Sequence, residues 1–126
     1  MMRVLLDSHV YIWRVSKDRR LPVRIRKSID EAEQVYVSTA TIWELSIKAA
    51  RGKLDPRAAR TIDELGAQPF IVLPVQLKHA LAVRNMPDLH RDPFDRLLVA
   101  QARTEVLRFL TIDSELSEYL DATIPA

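Results

Sequence analysis

Four short apolar runs, set between stretches of helical spacing, constrain this chain more than any other feature. RVLL at 3–6, QVYVS at 34–38, FIVL at 70–73 and RFLTI at 108–112 are short and rich in branched or aromatic side chains. Runs of that kind read as strands buried in a sheet. Between them the period changes. Residues 39–50 place Ile42, Leu45 and Ala49 on one side, and Arg51-Gly52 supplies a stop. Pro22 opens a helix carrying Val23, Ile25 and Ile29, with Asp30, Glu31 and Glu33 at its exposed acidic end. After a turn at 54–56, a helix runs from Pro56 to about residue 67. Residues 76–85 and 93–106 are also helical, the latter with Phe94, Leu97, Leu98 and Ala102 along one side. Short helices are expected at 10–16 and 114–120, a loop at 86–91, and a last edge strand at 122–124. Strands alternating with helices along the whole length predict an α/β domain with a mostly parallel sheet. The 126 residues suit one domain, 1–126.

Composition narrows the chemistry. There is no Cys, so disulfides, thiolate ligands and cysteine nucleophiles are excluded. The apolar runs fall far short of the roughly 20 residues that span a bilayer, and the start of the chain lacks the pattern of a signal peptide. A cytoplasmic protein with no membrane partner is the expectation. The net charge of +2 says little as a total. Withdrawing several acids into a pocket would leave a markedly basic surface, which suits a polyanionic substrate.

In parallel sheets, sites form beyond the carboxyl ends of the strands. Asp7 follows the first strand. Ser38 and Thr39 follow the second, and the helix there carries Glu44. Asp113 follows the fourth, and the helix feeding that strand begins Asp92-Pro93-Phe94-Asp95. Four or five acids can thus meet at one sheet edge. An oxygen-rich set without His or Cys favours magnesium, manganese or calcium. Each acid alone has a plainer explanation. Asp7 is placed to cap a helix, Glu44 to pair with Lys48 or form a capping box with Thr41, and Asp113 to cap the last helix. Asp92 is placed as an N-cap with Pro93 at N1 and Asp95 at N3. Yet Glu44 in IWEL and Asp95 in PFDRLLVA stand among apolar residues. A carboxylate there costs several kcal/mol (roughly) unless it is paired or metal-bound.

The ordered blocks LLDSHVYIW, VSTATIWELSIKAARGKL, LHRDPFDRLLVAQA and LTIDSEL resemble the PIN-domain nucleases, in particular VapC-type toxins of bacterial type II toxin–antitoxin systems. The likeness covers nearly the whole chain. It implies a PIN-like three-layer fold, with a sheet of about five strands flanked by helices around an acidic metal pocket. Carried over by position, the family's acids fall on Asp7, Glu44, Asp95 and Asp113, with Thr111 beside the last. The implied reaction is magnesium- or manganese-dependent endonucleolytic hydrolysis of RNA. Asp7, Asp95 and Asp113 are then direct ligands, and Glu44 binds through water or helps take a proton. Thr111, Ser8, Ser38 and Asp92 support them from behind, Asp92 mainly as a cap. Lys48, Arg51, Lys53, Arg91 and Arg96 are the candidate phosphate contacts. His9 reads as structural rather than as a base. Trp13, Trp43 and Phe94 read as core or dimer packing. An antitoxin partner and a homodimer are implied by the resemblance alone.

Three rivals stand beside this reading. A dehalogenase-like phosphatase needs D-x-D after the first strand, and here the third position is His9. A receiver-type pocket needs an aspartate after the third strand, and FIVLPVQL has none. A PIN-like module that binds RNA or a partner without cleaving keeps the fold but has less use for the full acid set.

Overall fold

A computed structural model of the chain describes residues 2–65, 69–86, 92–113 and the backbone of 124–125. Five parallel strands form one sheet in the order β3-β2-β1-β4-β5. They are β1 (Arg3–Leu6), β2 (Gln34–Ser38), β3 (Ile71–Leu73), β4 (Arg108–Thr111) and β5 (Ile124–Pro125). The helices are α1 (Ser8–Val15), α2 (Val23–Glu31), α3 (Thr39–Ala50), α4 (Pro56–Asp63), α5 (Leu77–Ala82) and α6 (Pro93–Glu105). The α/β class and the parallel sheet agree with the expectation from the sequence.

The central position of β1 follows from its composition. Val4, Leu5 and Leu6 are fully buried, and they alternate between two cores. Leu5 packs with Phe109, Leu98, Val99 and Ala102 on one face. Val4 and Leu6 pack with Val10, Tyr11, Ile25, Val37 and Leu110 on the other. A sheet covered on both faces needs apolar residues at successive positions rather than an alternating pattern. The β1–β4 pairing sets Leu6 opposite Leu110, so both strands end at the same sheet edge.

Several boundaries differ from the sequence reading. The first helix begins at Ser8, not at residue 10, because Tyr11 N–H donates to the Asp7 carbonyl and closes a turn there. The helix from Pro56 ends at Asp63, short of residue 67. Residues 76–85 divide into α5 and a 3-10 turn, Val83–Asn85. The third strand omits Phe70, the fourth stops at Thr111, and the last falls on Ile124–Pro125 rather than 122–124. α6 ends at Glu105, where Val106 takes a left-handed backbone (φ 56°) and so breaks the helix. The expected helix at 114–120 and most of the loop at 86–91 lie outside the described residues.

Candidate functional site

Asp7 leaves the carboxyl end of the central strand and is only 3% exposed. Its backbone N–H donates to the Leu110 carbonyl of β4 (3.0 Å), which fixes it at the strand end. It occupies the N-cap position of α1, but its side chain makes no capping bond to that helix's next turn. Asp7 Oδ2 instead accepts from the Thr111 hydroxyl at 2.6 Å. The backbone N–H of Asp113 in turn donates to Thr111 Oγ1 at 3.0 Å. A single buried threonine therefore joins the ends of β1 and β4. Burial raises the Asp7 pKa, opposed first by the Thr111 hydrogen bond and then by nearby His9. His9 itself is exposed and rests tilted against Trp13.

Glu44 lies on α3, whose start is held by Ser38. The Ser38 hydroxyl accepts from Ala40 N–H at 3.0 Å as the N-cap. Ser38 therefore orients the helix that carries Glu44 and does not touch the acids directly through this bond. Glu44 Oε1 accepts from the Ser8 hydroxyl at 2.7 Å, and Ser8 also lies 3.4 Å from the Thr41 hydroxyl. Lys48 Nζ sits 3.6 Å from Glu44 Oε2, so the i,i+4 pair read from the sequence is present as well. The capping box with Thr41 is not, since Ser38 holds the N-cap position.

Asp95 and Asp92 come from the first turn of α6. Asp92 accepts from Phe94 N–H (2.9 Å) and Asp95 N–H (3.2 Å), an N-cap with Pro93 directly behind it. Asp95 has its pKa pushed up to about 8. The causes, in order, are burial and the negative charges of Asp7, Asp92, Glu44 and Asp113. Asp95 thus lies within electrostatic reach of the acid that follows β1, one on α3, the cap of its own helix and the acid two residues past β4.

These acids fit a hard divalent cation by donor type, since every side-chain donor is a carboxylate or hydroxyl oxygen. They fit it electrostatically too, because burial first and then the charges of four neighbouring acids raise the Asp95 pKa. Among the described residues, no three His, Asp or Glu side chains are already drawn together as an ion-binding group. Asp7 and Glu44 are instead occupied by the Thr111 and Ser8 hydroxyls.

Beside the acids, a groove of about 390 Å³ is lined by Glu44, Lys48, Arg51, Lys53, Asp92 and Phe94, among others. Arg51 and Lys53 are exposed and form no ion pair among the described residues. Arg96 is anchored inward, donating to the Val83 carbonyl at 3.4 Å. Arg91 lies outside the described residues. Of the two roles read for Trp43, core or dimer packing, its exposure excludes the core. Trp43 is 61% exposed, and its ring meets Phe94 edge-on with centroids 5.0 Å apart. Trp13 does pack against the core, under the Arg20 guanidinium. A larger cleft, about 870 Å³, lies where β2 and β3 begin, bordered by Trp13, Leu21 and Phe70. Two of its acids, Asp30 and Asp18, are paired with Arg14 and Arg20. None of the acids at the strand ends borders it.

The PIN domain family model matches residues 4–120, nearly the whole chain. The chain belongs to the PIN-domain family. This PIN domain is 27% identical over 128 residues to ribonuclease VapC22 of Mycobacterium tuberculosis, covering 94% of this chain and 93% of that protein. Its fold resembles that of VapBC2 from Rickettsia felis, solved with a DNA fragment from its promoter. The TM-score is 0.71 at 11% identity, over 99% of this chain and 98% of that one. It also resembles VapC20 of Mycobacterium tuberculosis, described as a sarcin–ricin loop cleaving toxin. There the TM-score is 0.67 at 15% identity, over 96% and 99% of the two chains. No helix among the described residues is long and apolar enough to cross a membrane.

Proposed function

We propose that this PIN domain, residues 1–126, is a VapC-type toxin that hydrolyses RNA endonucleolytically with Mg2+ or Mn2+. The observation that carries the reading is the gathering of acids at one sheet edge, where Asp7, Asp92, Glu44 and Asp113 all act electrostatically on half-buried Asp95. So much negative charge at one sheet edge is costly in a fold and useful for holding a cation. A bound divalent ion there supplies Lewis acidity and lowers the pKa of water.

The chain's own residues do the rest. Asp7, Asp95 and Asp113 are the ligands. Glu44 sits at the margin of the set, held by Ser8, where it orients water or accepts its proton. Thr111 fixes the direction of the Asp7 carboxylate. Asp92 stiffens the first turn of α6 and so places Asp95. Lys48, Arg51 and Lys53 offer positive charge to phosphates along the groove beside Glu44. Activity at an RNA substrate makes an inhibitory antitoxin the expected partner, as the VapC resemblance implies, and a homodimer the expected assembly.

The test is cleavage of RNA by the purified chain, freed of partner. Mg2+ or Mn2+ should support cleavage and a chelator should stop it. Asp7→Asn and Asp95→Asn should each abolish it while circular dichroism stays native. Full activity in both variants would remove the proposed site. RNA binding without cleavage under every metal condition would favour a non-cleaving module.

A further inference from the structure

The aromatic pair beside the acids has a specific placement. Trp43 immediately precedes Glu44 on α3, and Phe94 immediately precedes Asp95 on α6. Their rings meet edge-on at 5.0 Å, bridging the two helices that carry those acids. Phe94 is half-buried, whereas Trp43 leaves most of its surface in water. An indole that is 61% exposed, on a helix whose buried side already holds Ala40, Thr41 and Leu45, is not there to fill the core. Phe94 braces it from one side and so limits the rotamers open to it. The groove that Phe94 borders continues over Lys48, Arg51 and Lys53.

An exposed aromatic face, joined through Phe94 to a groove that holds three cations and Glu44, matches what a single RNA strand presents: a base, its phosphates and a scissile bond. We infer that Trp43, braced by Phe94, is the platform on which one unpaired base of the RNA stacks, next to the bond cut at Asp7 and Asp95. The inference rests on the ribonuclease reading and deepens it, because it names the side chain that receives a base beside the acids. A base in a duplex cannot offer its face to Trp43, so the strand must be unpaired at that nucleotide. The cations then hold the phosphates on the Lys48 side. Trp43 is a positioning residue here and takes no part in proton transfer.

Tryptophan emission tests this directly. Trp13→Phe leaves Trp43 as the single reporter. Titration with a short single-stranded oligoribonucleotide, in chelator so that no cleavage intervenes, should quench that emission. An oligomer of the same length with abasic positions throughout should quench it little. In the native background Trp43→Ala should weaken binding of the base-bearing strand roughly tenfold, by the worth of one stacked base, and Trp43→Phe should restore most of the loss. A duplex of the same sequence should bind alike to native protein and Trp43→Ala. Equal quenching by the abasic strand, or unchanged affinity of Trp43→Ala, overturns the platform. So does a change of oligomeric state in Trp43→Ala with RNA affinity intact, which would make the pair a contact between protein copies. Because binding is read without cleavage, a chain that stacks RNA but never cuts it contradicts the nuclease reading alone. A chain that cuts RNA without Trp43 quenching contradicts the platform alone.

Discussion

The Thr111 hydroxyl donates to Asp7 Oδ2 over 2.6 Å, across 104 positions of sequence. The same oxygen accepts from the Asp113 backbone N–H, so one side chain fixes an acid from β1 and the start of the segment that carries another. Thr111→Val keeps the shape and removes both bonds. Cleavage should fall about 10- to 100-fold, the usual consequence of losing a partner behind a metal ligand. Weaker Mn2+ binding by calorimetry should accompany the loss. A variant with full activity and unchanged Mn2+ affinity would show that Asp7 needs no such support.

The cation-free protein should lose stability as pH rises. Asp95 titrates near 8 in the fold and near 3.8 in an unfolded chain. Between those values the folded state binds more protons than the unfolded state, so raising the pH favours unfolding. Asp7, shifted the same way by burial, adds to the slope. Urea midpoints measured in chelator should therefore decline from about pH 4 to pH 8. Asp95→Asn should flatten much of that decline, and saturating Mg2+ should reverse it at the alkaline end. A midpoint that rises across this range would contradict the raised pKa.

Asp92 has two separable effects, one as a cap and one as a charge. Asp92→Asn keeps a capping oxygen and removes the charge that raises the Asp95 pKa. Asp92→Ala removes both, and should cost about 1 kcal/mol more than the Asn variant in chemical denaturation. Both variants should lower the Asp95 pKa followed by carboxyl NMR. Equal stability of the two would mean that the cap contributes nothing to α6.

The basic groove is testable through salt. Each phosphate neutralised on a single strand contributes about 0.7 to the slope of log affinity against log salt. Replacing Arg51 and Lys53 together by Ala should reduce that slope by about 1.4, with fold and melting temperature unchanged. Lys48 is a poorer choice for the same experiment because it also pairs with Glu44.

The legibility of this chain differed between backbone and side chains. Val4, Leu5 and Leu6 suit a strand covered on both sides, because the run is too short for a helix and ends at once in Asp7. Acids placed after strands are legible for the same reason, because parallel connectivity dictates which strand ends share an edge. Helix ends were less so. Val106 adopts a left-handed backbone that its branched side chain disfavours, and no sequence pattern foretells that. The bond from Ser8 to Glu44 joins residues 36 apart, and spacing alone could not choose Ser8 over Thr41 as the donor. The core half of the reading of Trp43 failed because tryptophan is usually mostly buried. Its exposure depends on which face α3 turns outward, and the helical repeat of Ile42, Leu45 and Ala49 leaves residue 43 only just outside the apolar stripe.

The middle position of β1 also sets a schedule for synthesis. Its neighbours are β2 and β4, and β4 lies more than a hundred residues downstream. On a ribosome the first strand emerges early but cannot receive its second partner until residue 111 has been made. Asp7 therefore waits, without Thr111 or Asp113 beside it, while the 104 positions up to Thr111 are made. The edge shared by β1 and β4 is thus a late product of folding, although its first strand is made at once.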